Sequence, residues 1–343
     1  MKELKTGYAY HGNRMLNHAE ADIKDMASHN CNIIVHMLSH MDWERHLTTI
    51  KELVAMSEGY GMETWLDNWG LAGHPGDTSH FLSYCPSAHV YYADGTMDKK
   101  YVCLNSKEFR SFTKEWIDAV EFCGCKKIFW DEPRFPRKIL DNGKEIYSCA
   151  CPTCKKLFED KYGYPMPIEE NDDVVQFQIE TISDYIAEVS AYSSKKGIQN
   201  SVCITPEGKT LNLKICESLC AIDTIQDVGS DPYWVGRNVD VFDYVYQGAR
   251  KCLSLAEKYN KECNQWIQTY SNPIGREEDI VYAAEALYHA GARTILSWGY
   301  YGSIACDYRA QNPLVVKHKT EEAYRRLWDK ERDRIINEKI SKL

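Results

Sequence analysis

The chain has 343 residues, 44% apolar and 27% charged, with a formal net charge of −9. That length holds one large barrel or two ordinary domains, and the composition is that of a globular protein with a substantial core. The acid excess leaves no basic stripe to displace phosphate counterions, which argues against a nucleic-acid partner.

Short apolar strands alternate with amphipathic helices along the whole chain. A strand over 8–11 precedes a helix over 18–28, and a strand over 31–38 precedes a helix over 47–60. The third strand, 62–69, is followed by a long connection through His74, His80 and Tyr92 and then a helix over 107–122. The fourth strand runs over 126–133, and its connection carries a cysteine cluster before a helix over 174–194. Strand five covers 201–205 with a helix over 211–219, and strand six covers 221–226 with a helix over 241–259. Strand seven, 263–268, leads to a helix over 277–290, and strand eight, 293–298, to a last helix over 320–335. Eight such alternations predict a (β/α)8 barrel, taken as one domain over 1–343. No glycine-rich phosphate loop follows strand one, which disfavours a doubly wound open sheet.

No apolar run follows Met1-Lys2-Glu3, and no stretch is long enough to span a bilayer. The expectation is therefore a cytoplasmic protein without a membrane partner. Self-association as a homo-oligomer stays open. Fourteen cysteines without a secretory signal point to metal ligands and buried thiols rather than disulfides. Cys149, Cys151 and Cys154, in C-x-C-x-x-C spacing, bring three thiolates to one tetrahedral ion, expected to be a structural Zn2+. The fourth ligand is Cys103 at the entry to the third helix, or else Cys85.

The order of these segments resembles the zinc-containing beta-galactosidases of glycoside hydrolase family 42. It runs from Cys103-Leu104-Asn105-Ser106, through a carboxylate pair ending strand four, to Cys149-Ala150-Cys151-Pro152-Thr153-Cys154 and Tyr162-Gly163. The resemblance spans about residues 101–165 and implies Cys103, Cys149, Cys151 and Cys154 as zinc ligands, with Glu132 as general acid/base. Asp131 stands where that family has Asn. Strand seven, ending Trp266-Ile267-Gln268, lacks the family's nucleophilic Glu.

Barrel enzymes present their reacting groups at the C-terminal ends of strands, and strand four ends in Asp131 and Glu132. Glycoside hydrolysis needs two carboxyl groups flanking the scissile bond. A neighbouring Asp131 and Trp130 are expected to raise the pKa of Glu132. Its partner is Asp231, in the loop after strand six, or Asp67, ending strand three; Glu207 after strand five is a further candidate. The inverse assignment, with Asp131 as nucleophile and Asp231 as acid, stays open.

Substrate contacts are expected from His11 and His36 through hydrogen bonds, with His40 nearby. Trp65, Trp69, Trp130, Tyr233, Trp234, Trp266, Gln268, Trp298 and Tyr300 are expected to contribute stacking and polar contacts. The function read from the sequence is hydrolysis of a small-molecule carbohydrate. The alternatives are a catalytically silent carbohydrate-binding barrel and a sugar lyase or isomerase using the same mouth.

Overall fold

The computed structural model describes residues 3–71, 79–206 and 210–341. Eight parallel strands close on themselves: β1 (Lys5–Tyr10), β2 (Ile33–Met37), β3 (Glu63–Asp67), β4 (Lys127–Trp130), β5 (Gln199–Cys203), β6 (Asp227–Ser230), β7 (Glu262–Gln268) and β8 (Thr294–Trp298). Each strand pairs with its sequence neighbours and β8 pairs with β1, so the sheet has no edge. The main helices that follow the strands are α1 (Leu16–Ser28), α2 (His40–Gly59), α3 (Lys107–Cys123), α4 (Asp172–Lys195), α5 (Thr210–Cys220), α6 (Val241–Lys258), α7 (Asp279–Ala290) and α8 (Pro313–Ile340). The architecture is the (β/α)8 barrel that the alternation predicts. No helix among the described residues is long and apolar enough to cross a membrane.

Strand alternation divides the side chains into two populations. Ala9, Val35, Met37, Trp65, Phe129, Cys203, Trp266, Leu296 and Trp298 pack together inside the barrel. Tyr8, Ile34, Leu66, Ile128, Trp130, Val202, Val228 and Ile295 join the larger core between strands and helices. Below the interior aromatics lies a polar floor. Buried Lys127 and Asp227 form an ion pair at 2.6 Å, and Asn264 donates to Asp227 (3.0 Å) and to Ser201 Oγ (2.9 Å). The Lys127 ammonium also sits 4.0 Å from the centre of the Trp65 ring. Glycine is required at 229, because a Cβ there would lie 2.1 Å from Asn264 Oδ1.

The expected strand over 221–226 is displaced: that segment is the turn after α5, and the barrel strand is Asp227–Ser230. The cause is Asp227, a charge that reads as a loop residue but is neutralised inside the barrel by Lys127. Helix α2 starts earlier than expected because Ser39 and Asp42 form a capping box, and a kink at His46 joins the two parts. Helix α8 likewise starts at Pro313, behind an Asn312 cap.

The connections on either side of α3 are elaborate. A hairpin of His89–Tyr91 and Met97–Val102 precedes α3, whereas a small hairpin (Lys138–Ile139, Glu145–Ile146) and a helix, Pro152–Tyr162, follow β4. These excursions bury a satellite core of Val90, Tyr147, Phe158, Val174 and Phe177 around Cys103, Cys149, Cys151 and Cys154.

Candidate active site and cysteine cluster

Continuing the inward positions past the strand ends brings carboxylates to the C-terminal mouth. Asp67 ends β3 and is fully buried; its Oδ1 accepts the Trp69 N–H at 2.8 Å, and its Oδ2 has no hydrogen-bond partner among the described residues. Asp131, one residue beyond β4, is also buried, and its N–H donates to Asn68 Oδ1 at 3.0 Å. Burial pushes both carboxyls well above the ordinary carboxylate range. The charge of Asp131 adds to the effect on Asp67, and that of Glu132 adds to the effect on Asp131. Glu132 adopts φ 35°, a left-handed conformation that costs a non-glycine residue about 1–3 kcal/mol and is concentrated at functional sites. Its side chain is ion-paired with Arg134. The carboxyls shifted upward are therefore Asp131 and Asp67, and Glu132 has a cation beside it, an arrangement that the sequence does not reveal.

A cavity of about 660 Å³ opens over the ends of β4, β5 and β6. Glu132 and Asp231 both line it, as do Arg134, Arg137 and Arg237. Tyr92, Tyr101, Tyr233 and Tyr244 supply aromatic wall. Part of that wall belongs to the cysteine-bearing excursions: Gln178, also in the lining, donates to Ser148 O at 2.6 Å, and Ser148 Oγ donates to Pro136 O at 2.6 Å.

The other predicted contacts separate into three groups. His11 is enclosed at the mouth, 5.0 Å centre to centre from both Trp69 and Trp298, and burial drives its pKa down to about 3 with help from Arg14. Tyr233 and Tyr270 pack edge to face at 5.3 Å beside it, and Tyr270 meets Tyr308 at 5.5 Å. Trp65 and Trp266 lie deeper, as filling of the barrel, and Gln268 uses its Oε1 to accept the Val235 N–H at 2.9 Å.

The third group is not in the lining of the Glu132–Asp231 cavity. His36 points out toward α2 and contacts Ser57 Oγ at 3.0 Å. Trp130 also points outward, packing on Trp116 and donating to Asn200 Oδ1 at 2.9 Å. Trp234 is buried in the strand–helix core, and the Tyr300 hydroxyl donates to Asp25 on α1. His74 and Glu207 lie outside the described residues. Sequence reasoning missed Arg134, Tyr92, Tyr101 and Tyr270; only Tyr270 carries a signal, being two residues past inward-facing Gln268.

The four cysteine sulfurs converge. Cys103 Sγ is 3.4 Å from Cys154 Sγ and 3.6 Å from Cys151 Sγ, and ligand atoms of all four residues lie within 4.8 Å of one another. Four sulfurs about 2.3 Å from a tetrahedral zinc would stand about 3.8 Å apart, whereas a disulfide needs about 2.05 Å. The donor set thus fits a closed four-thiolate ion. Cys85 is not part of the cluster; it is partly exposed and contacts Ser87. Cys151 caps the helix Pro152–Tyr162 and accepts the Cys154 N–H, and Asn105 Nδ2 donates to Cys154 Sγ at 3.4 Å. Hydrogen bonds from Cys103, Cys149 and Cys154 pull the Cys151 thiol far below the usual range, whereas the same mutual contacts push the Cys103 and Cys154 thiols up.

The fold is that of a broad class of (β/α)8 barrels. No family model matches the chain, and no curated protein matches it in sequence. Among solved structures, the chain resembles the catalytic domain of beta-amylase from Paenibacillus polymyxa (TM-score 0.65, 9% identity, covering 92% of this chain and 94% of that one). It also resembles an endo-1,4-beta-mannanase from Rhizomucor miehei (TM-score 0.60, 10% identity, 94% and 95% covered). A third is D-allulose 3-epimerase from Methylomonas sp. (TM-score 0.52, 10% identity, 95% and 99% covered). At such identities the likeness is one of fold, and it does not single out family 42.

Proposed function

We propose that the chain is a glycoside hydrolase-like enzyme cleaving a glycosidic bond in a small soluble carbohydrate. The observation that carries this reading is that Glu132 and Asp231 line one cavity of about 660 Å³ at the C-terminal mouth. That volume is in the range of small-molecule sites, and two carboxyl groups on one sugar-sized cleft are what glycoside hydrolysis requires. The sharing of this fold by a beta-amylase and a mannanase is compatible with the reading. Glu132 serves as general acid/base and leaves Arg134 as substrate enters. Asp131, buried next to it in the chain, has its carboxyl pushed well above the ordinary range by burial and by the charge of Glu132. Asp231 is the second carboxylate, with the cavity tyrosines offering ring faces and hydroxyls to the sugar.

In the same reading Cys103, Cys149, Cys151 and Cys154 hold a structural zinc, as in the family 42 pattern. A four-thiolate ion has no open position for water, so when bound it supplies folding energy.

The test is a panel of aryl glycosides and oligosaccharides assayed with wild type and Glu132→Gln. Product release by wild type, reduced about 10²–10⁴-fold in the variant with folding intact, is the expected outcome. Equal turnover by the two would remove Glu132 from the mechanism. The silent barrel is favoured by one feature, the Gln268 at the end of β7, whose carbonyl is already engaged by Val235. Saturable sugar binding without any product would establish it, and a product of unchanged mass would indicate isomerisation.

A further inference from the structure

We propose that His40, Glu44 and His80 form a second metal site, taking one divalent transition ion of the zinc class. It lies apart from both the cysteine cluster and the barrel mouth. His40 and Glu44 are four residues apart on α2 and so share a face, and His80 comes from the β3–α3 connection. Glu44 Oε1 is 3.2 Å from His40 Nε2 and 2.9 Å from His80 Nε2, and the three ligand atoms lie within 4.8 Å of one another. Ligands about 2.0–2.1 Å from a tetrahedral ion stand about 3.3 Å apart, close to this spacing.

The hydrogen bonding suits a metal better than an isolated ion pair. His40 Nδ1 lies 2.6 Å from Ser79 Oγ. With its Nδ1–H donated there, the ring presents the Nε2 lone pair to Glu44, and a cation between them removes the clash of two acceptors. An outer partner that fixes the tautomer in this way is the usual companion of a metal-bound histidine. Both Nε2 atoms lie beside the same carboxylate oxygen, Glu44 Oε1. The site opens into a pocket of about 460 Å³ whose charged lining residues are Glu44, Glu108 and Glu115, a negative field that concentrates cations. The Tyr84 hydroxyl, 3.3 Å from His40 Nε2, and water from the pocket can complete the coordination. The superficially similar group of Asp25, His29 and Glu321 differs, because the Lys317 ammonium already sits against both of its carboxylates.

Bound metal would fasten the connection leaving β3 to the flank of α2. The experiment uses the full chain with its cysteine cluster loaded, dialysed to equilibrium against dilute Zn2+ and analysed for metal content, with parallel Co2+ titrations followed by absorption. Wild type is expected to hold one ion more per chain than His80→Ala, and the extra Co2+ to show nitrogen–oxygen ligation without a thiolate charge-transfer band. His80 has a side-chain exposure of 41%, so its truncation spares the core. Affinity for the extra ion should fall at least about tenfold in both His80→Ala and Glu44→Gln, as loss of even an outer partner costs that much. Equal ion counts in wild type and His80→Ala, or undiminished affinity in both variants, would overturn the site.

Discussion

Asparagine in place of Asp131 is expected to stabilise the protein while impairing turnover. Asp131 is 6% exposed, and burial together with the charge of Glu132 raises its pKa well above the ordinary 3.8. The unfolded chain therefore releases this proton at a lower pH than the native state does. Between the two pKa values the native state binds more protons, so stability falls as pH rises, by about 1.4 kcal/mol per pH unit. Above the native pKa the loss is complete and the curve flattens. Asparagine has the shape of the neutral acid and does not titrate, so the variant escapes this penalty. The gain grows with each pH unit inside the window at that slope, appreciable against a net stability of about 5–15 kcal/mol. The assay is urea denaturation of both proteins at intervals from about pH 4 to about pH 7, with linear extrapolation and a check that m is unchanged. A difference that stays flat with pH, or a variant less stable than wild type, would refute the reasoning. Asp67 and Asp131 interact, so Asp67→Asn should act in the same direction and the double variant should fall short of the sum.

Lys127→Met leaves Asp227 buried without its cation and is expected to cost about 3–5 kcal/mol in urea denaturation, with Asp227→Leu added to it recovering most of the loss. Cys103→Ser, or chelation of the wild type, should lower the melting temperature and speed hydrogen exchange over residues 89–106 and 145–164; unchanged exchange in metal-free protein would remove the zinc site. Trp130→Phe should cost about 1–3 kcal/mol while leaving kcat/KM within about twofold, because the indole N–H serves Asn200 and not the cavity. A selective loss of substrate affinity in that variant would place Trp130 back at the site.

What the sequence discloses follows from the range of the interactions involved. Phe129 faces inward on β4, and the same alternation turns Trp130 outward, so its position could have been read from parity alone. His36, between inward Val35 and Met37, follows the same rule. Asp227 could not be read this way. Its neutralising partner is 100 residues away, and only the closed barrel brings the two together. The cysteine quartet was legible because three of its members are local and the fourth lies just ahead of a helix. The cavity's Tyr92 and Arg134 come from irregular stretches and Tyr101 from a hairpin outside the barrel, so the alternation of the barrel strands does not constrain which of these side chains turns toward the mouth.

The shared wall between the cysteine-bearing excursions and the cavity divides labour within the cleft. Asp67, Asp131 and Asp231 are set by barrel strands, whereas Tyr92, Tyr101 and the Gln178–Ser148 contact depend on polypeptide folded around the four sulfurs. In the glycosidase reading proposed above, recognition and reactivity would thus be carried by separately anchored parts of one chain. If zinc holds those excursions, a metal-starved molecule would keep its reacting groups but lose one bank of the cleft, so discrimination between sugars would decay before bond cleavage does. On that reading, the same separation would let changes in the excursions alter the choice of ligand without disturbing a single barrel strand.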